Sequence, residues 1–144
     1  MYSYLWAHKK YLIQLPLILY WIILFVLTSL PATLAITTKI SDKINHFGAY
    51  GLLSVLLYLN LYFQYKFKLP NKYPALFTVL IASFYGFLDE MHQMLVPGRS
   101  AEFLDWFADF SGSLVAVIIT SYLIRKLKQI DFEKSKLNSG TFQK

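Results

Sequence analysis

Apolar residues fall into four long runs, residues 11–36, 44–65, 74–96 and 103–124, separated by short polar segments. Each run meets or exceeds the ~20 residues a helix needs to cross the hydrocarbon core of a bilayer. The pattern predicts an all-α protein, an integral membrane four-helix transmembrane bundle. The first two runs are nearly free of formal charge; the third is charged only near its end and the fourth only near its start. Polar chemistry is therefore concentrated in residues 86–113, which contain Asp89, Glu90, His92, Gln93, Arg99, Glu102, Asp105 and Asp109. Within that stretch Pro97 and Gly98 mark a chain reversal between the third and fourth helices.

Helical phase sorts these residues onto faces. At about 100° per residue, Asp89, Gln93, Gly86 and Ala82 share one arc of the third helix. Glu102, Asp105, Asp109, Gly112, Ser113 and Ala116 share an arc of the fourth, and a face carrying three acids does not look at lipid. Ala108, Gly112 and Ala116 also form a small-xxx-small row, which lets helices approach closely. On the second helix His46 shares a face with Asp42, Ala49, Tyr50 and Leu53. Gly48 and Gly51 lie on another side and offer a further place for close approach. Ser41 or Asp42 is expected to cap this helix by accepting from the free amides of its first turn. Reflection about the centre of the turn sets Asp89 level with Asp109 and Gln93 level with Asp105. Both pairs then lie inside the bundle, Asp89 and Asp109 roughly 10 Å from the turn at 1.5 Å per residue.

The rest of the chain frames that region. Residues 1–10 read as an amphipathic lead-in whose Tyr2, Tyr4 and Trp6 suit a membrane interface. Thr33 and Ala35 resemble a signal-peptide cleavage site, but the apolar run before them exceeds the usual core of about 7–15 residues. Pro16 is expected to kink the first helix and Pro31 to begin its exit. Residues 66–72 make the turn between the second and third helices. Residues 1–124 form the membrane domain, and residues 125–144 a basic tail expected to continue the helix briefly and then become disordered.

Composition and charge agree with a membrane setting. The 144 residues are 56% hydrophobic, with mean hydropathy +0.44 and formal net charge +6. Two Lys before the first helix, three between the second and third, and six Lys/Arg from Arg125 onward make eleven basic residues on one side, against Lys39, Lys43 and Arg99 on the other. The positive-inside rule places both termini and the middle loop in the cytoplasm. The basic excess thus reflects anchoring beside anionic headgroups and not nucleic-acid binding. With no cysteine, the chain has neither disulfides nor thiolate metal ligands.

Asp89, Glu90, Glu102, Asp105 and Asp109 face only Arg99 and Lys43 as fixed cations, with His46 and His92 adding charge when protonated. Like charges buried together must be protonated, paired, hydrated or bound to a cation. The plainest account has Arg99 bridging two acids, with Gln93 and Ser113 hydrogen-bonding, so that the cluster merely locks a hairpin. A polar pocket is the stronger reading, because ionisable groups in membrane helices usually mark a site. Its binding residues are Asp42, His46, Asp89, Glu90, Gln93, Arg99, Glu102, Asp105 and Asp109. His46, Glu90, Asp105 and Asp109 carry the imidazole and oxygen ligands a metal takes. Their spacing matches no metal motif, and no cofactor is expected.

The two polar blocks, Asp42-Lys43-x2-His46-Phe47-x2-Tyr50 and Asp89-Glu90-x2-Gln93-x5-Arg99-x5-Asp105-x3-Asp109-x2-Gly112, resemble the VanZ-like family of small bacterial membrane proteins. The resemblance covers about residues 39–116, in the family's order. It implies a protein of the bacterial cytoplasmic membrane with a role at the cell envelope, the family being named for an accessory protein of resistance to the glycopeptide antibiotic teicoplanin. It carries the family's outer-face residues onto Asp42, His46, Glu90, Gln93, Arg99, Asp105 and Asp109. Two positions depart from the family pattern: Asp109, often Asn, and Ala116, where a further glycine is common. The extra acid favours proton or cation binding.

Three functions follow as expectations. The first is binding, on the extracytoplasmic side, of a lipid headgroup, a lipid-linked cell-wall precursor or a lipoglycopeptide, with Arg99 holding a phosphate or carboxylate. The second is intramembrane acid/base or metal-assisted hydrolysis or transfer on a lipid-linked substrate, with Glu90 and Asp105 as acid and base and His46 as proton carrier. The third is an oligomeric lipid or proton-coupled transporter component, which four helices could form only as a homo-oligomer.

Overall fold

The computed structural model describes residues 2–34 and 39–140. Ala35 of the cleavage-like pattern, the loop residues 36–38, the side chain of Ser41 and the tail residues 141–144 lie outside the described residues. The described chain is helical throughout, without strands: α1 (Tyr2–Ala7), a π-helical stretch (Lys10–Gln14) running into α2 (Leu15–Thr28), a 3-10 turn (Ala32–Leu34), α3 (Lys39–Phe63), α4 (Lys68–Lys72), α5 (Pro74–Gln93) and α6 (Phe103–Gly140). Four helical segments are long and apolar enough to cross a membrane: Lys10–Thr28, Asp42–Phe63, Pro74–Gln93 and Phe103–Leu137. The chain is a multi-pass, all-α membrane protein.

A helix satisfies all of its backbone polar groups within one segment, which is why apolar runs of this length become these elements in hydrocarbon. Pro16 has no N–H to return to the preceding turn, and the helix widens to π register just before it, at Lys10–Gln14. α3 begins at Lys39, so Asp42 sits in its first turn as a side chain of the helix and not as its cap. α6 runs unbroken from Phe103 to Gly140. At 1.5 Å per residue that is roughly 57 Å, well beyond a ~30 Å hydrocarbon core. The basic segment is therefore a longer helical continuation than expected.

The core lies between α3, α5 and α6, with α2 leaning on α3. Leu17 and Leu24 of α2 pack with Tyr50, Leu53, Leu57 and Leu61 of α3 and Ala82 of α5. Ile13, Tyr58, Phe63, Val117 and Ile124 fill the other end. Tyr20 and Trp21 pack half-buried against the first of these clusters, whereas Ile18, Ile22 and Val26 of α2 are exposed, as lipid-facing residues are. The Tyr20 hydroxyl donates to the Ala49 carbonyl and joins α2 to α3.

α3 and α6 come into backbone contact at Gly112. A Cβ there would collide with the Phe47 carbonyl, so the backbones touch where glycine alone fits. Below this point Ser54 Oγ donates to Ser113 Oγ at 2.8 Å, both side chains fully buried. Gly51 faces Gly112 and Ala116, as the small-residue row predicts, whereas Gly48 has nothing within 4 Å and makes no close approach. At the basic end the last carbonyls of α3 are satisfied from outside the helix. Asn71 Nδ2 donates to Tyr62 O (2.7 Å) and Gln64 O (2.8 Å), and Lys9 Nζ to Phe63 O (3.1 Å).

Candidate functional site

The polar end of the bundle gathers acids from three helices. Asp42, Lys43 and His46 come from the start of α3, Asp89, Glu90 and Gln93 from the end of α5, and Glu102, Asp105 and Asp109 from the linker and start of α6. His46, Asp89, Glu90, Gln93, Asp105 and Asp109 are all buried. The two arcs read from helical phase thus do turn inward.

The pairing differs from the symmetric one. Asp109 abuts Gly86, where a Cβ would lie 2.9 Å from Asp109 Oδ2, and does not sit level with Asp89. Asp89 instead accepts from Gln93 Nε2 on its own helix at 3.3 Å. Glu90 Oε2 accepts the backbone N–H of Glu102 at 2.8 Å, closing the linker onto α5. Pro97 and Gly98 do sit in a tight turn, closed by the Arg99 N–H to the Val96 carbonyl at 3.1 Å with Gly98 at φ 77°, but it lies within a nine-residue linker, 94–102, so reflection about a four-residue turn misplaces the register. Trp106 Nε1 adds a bond to the Ser83 carbonyl at 3.0 Å.

Lys43 is the residue that bridges two acids, at 2.9 Å from Glu102 Oε2 and 2.7 Å from Asp105 Oδ1. Arg99, given that part on sequence grounds, does something else. Its Nε donates to the Leu30 carbonyl (3.1 Å) and its Nη1 to Gln93 Oε1 (3.0 Å). Among the described residues it pairs with no carboxylate. A guanidinium has five N–H donors, so three remain after these two bonds. His92 also leaves the cluster: it bonds Ser29 Oγ at 3.0 Å and stacks on Phe25, joining α5 to α2.

At the centre His46 Nδ1 and Asp109 Oδ1 pair at 2.9 Å. Around them are polar atoms with no partner: Glu90 Oε1, Asp109 Oδ2 and the Tyr50 hydroxyl, each buried. Tyr50 is a site residue the sequence reading left out, although it was placed on the His46 face. Its aromatic bulk fits a core position equally well, and only its buried, unsatisfied hydroxyl sets it apart. Two groups have the donors and proximity a cation needs: Asp42, His46 and Asp105, and His46, Glu90 and Asp109.

Two cavities meet at this end. One, of about 630 Å³, runs between α2 and α3 beneath apolar walls including Leu24, Leu27 and Leu52, and ends at Asp42, His46, Tyr50 and Arg99. The other, of about 200 Å³, is polar and lies among Asp42, Gln93, Arg99, Ser100, Glu102 and Asp105. Asp42 and Arg99 line both, so a wet pocket adjoins a greasy groove across one acid and one guanidinium.

The family model for VanZ/LLP1 matches residues 8–125, most of the chain and all of the site. The chain belongs to the VanZ/LLP1 family. No curated protein and no solved structure matches it. In this VanZ/LLP1 protein the matched region ends at Arg125, so it takes in the bundle and leaves out most of the basic extension of α6.

Proposed function

We propose that this VanZ/LLP1 protein binds an amphiphile with an anionic head, on the extracytoplasmic face of the bacterial cytoplasmic membrane. The single observation behind this reading is the junction of the 200 Å³ polar pocket with the 630 Å³ apolar groove at Arg99 and Asp42. The remaining N–H donors of Arg99 suit a phosphate or carboxylate, which its planar fork binds in two-point fashion. The leucine-lined groove suits an acyl or prenyl tail. A lipid headgroup, a lipid-linked cell-wall precursor and a lipoglycopeptide of the teicoplanin type share this build. The charge asymmetry of the loops, eleven basic residues against three, supports the sidedness. Native mass spectrometry of protein released from membranes tests the reading. The wild type should carry an anionic amphiphile and Arg99→Ala should lose it while still inserting; equal retention by both would sink the proposal.

A second reading, intramembrane acid/base catalysis, is favoured by one feature. The buried His46–Asp109 pair holds an imidazole in fixed orientation beside the unpartnered Glu90 Oε1. Neither Ser54 nor Ser113 is a free nucleophile, since each is bonded to the other, and in this reading water is the attacking group. Turnover of a labelled lipid-linked substrate, lost in Glu90→Gln, is the expected outcome; no turnover across a broad lipid panel would end it.

A further inference from the structure

We propose that His46, Glu90 and Asp109 form a binding site for a divalent first-row cation, Zn²⁺ being the ion of choice. One ligand atom from each of the three lies within 4.8 Å of the other two. Ligands bound at about 2.0–2.2 Å lie up to about 4 Å apart, so small side-chain rotations close the set around an ion.

Three further observations point to an occupant. Each carboxylate is anchored by one oxygen and has the other idle: Glu90 Oε2 is held by the Glu102 amide and Asp109 Oδ1 by His46, while Glu90 Oε1 and Asp109 Oδ2 are buried without partners. Anchored ligands with a satisfied second contact are how proteins pre-orient metal sites. The space beside Asp109 exists because residue 86 is glycine. A Cβ there would lie 2.9 Å from Asp109 Oδ2 and 3.3 Å from the Tyr50 ring. The Tyr50 hydroxyl, whose ring borders this space, is also buried without a hydrogen-bond partner.

Protonation neutralises the carboxylates one at a time. A cation satisfies both lone pairs at once and offsets two buried negative charges that otherwise cost several kcal/mol each. The donor set, one imidazole and two carboxylates without thiolate, selects ions of the zinc and manganese class over calcium or magnesium. The alternative set with Asp42 and Asp105 is less suited, because Lys43 Nζ already occupies Asp105 Oδ1 at 2.7 Å. Bound here, the ion ties α3, α5 and α6 together at one point. It also lies next to the groove that His46 and Tyr50 line.

The test is elemental analysis and thermal unfolding of the full chain, purified in detergent without a polyhistidine tag and dialysed before adding Zn²⁺. The wild type should retain about one Zn²⁺ per chain, and saturating Zn²⁺ should raise Tm by about 5–10 °C, with Mg²⁺ having no such effect. Glu90→Gln and His46→Gln should each weaken Zn²⁺ binding by about 10–100-fold, whereas His92→Gln, outside the cluster, should leave it unchanged. Wild-type protein that retains no Zn²⁺ and shows no Tm shift overturns the proposal without needing any variant. A shift undiminished in Glu90→Gln, or abolished in His92→Gln, overturns the ligand assignment. The test does not depend on any amphiphile being bound, so its failure and that of the binding function are separate results.

Discussion

His46 on α3 and Asp109 on α6 pair at 2.9 Å inside the bundle, the imidazole only 8% exposed, at the groove wall, and the carboxylate 0%. Their backbones touch right beside the pair, where Phe47, next to His46, meets Gly112, one turn on from Asp109, so the pair is fixed by backbone packing and not by long flexible side chains. Such a pair contributes little when intact, because desolvation offsets attraction, yet breaking it strands a buried charge.

His46→Ala should therefore destabilise the bundle by about 3–5 kcal/mol in the presence of chelator. Adding Asp109→Asn should recover at least ~1 kcal/mol, since the amide no longer needs a counter-charge. Unfolding free energies in detergent measure both. Strictly additive losses would mean that the two residues are not coupled.

Glycine positions on α3 and α6 separate by what faces them. Gly112→Ala drives a methyl into the Phe47 carbonyl, an obstacle that is backbone and cannot swing away. A loss of about 3 kcal/mol is expected, the upper end of the usual overpacking range. Gly48→Ala meets nothing within 4 Å and should change stability by no more than about 0.5 kcal/mol, or improve it slightly. Thermal scans of the two variants side by side check the contrast.

Arg99→Lys should not preserve function. Lysine keeps the charge but replaces a planar fork with a point donor, and it cannot hold the Leu30 carbonyl, Gln93 and an anion together. Amphiphile retention should fall about tenfold, close to the loss in Arg99→Ala and equivalent to about 1.4 kcal/mol. Wild-type retention in Arg99→Lys would show that charge alone matters.

Because the chain has no cysteine, single-cysteine variants report topology without background. Ser100→Cys should react with a membrane-impermeant maleimide in intact cells, and Lys72→Cys only after permeabilisation. The opposite pattern would invert the orientation and move the polar pocket to the cytoplasmic side.

Much of this protein was legible before any coordinates. Apolar runs of about 20 residues become helices in a bilayer because hydrocarbon offers their backbone no other partner. Helical phase alone then turned Gln93, Asp105, Asp109 and Ser113 inward, and all four are buried. Who touches whom was a different matter. Lys43 and Arg99 are both cations near the same acids, and phase does not say which reaches Glu102 and Asp105. The axial slide between helices decides that, together with the path of residues 94–102. Between α3 and α6 it is fixed where Gly112 meets the Phe47 carbonyl, and between α5 and α6 where Asp109 lies against Gly86. Local sequence dictates a helix and its faces because those depend on neighbours a few residues apart. Register between helices depends on side-chain shape across the whole contact, and only the folded bundle resolves it.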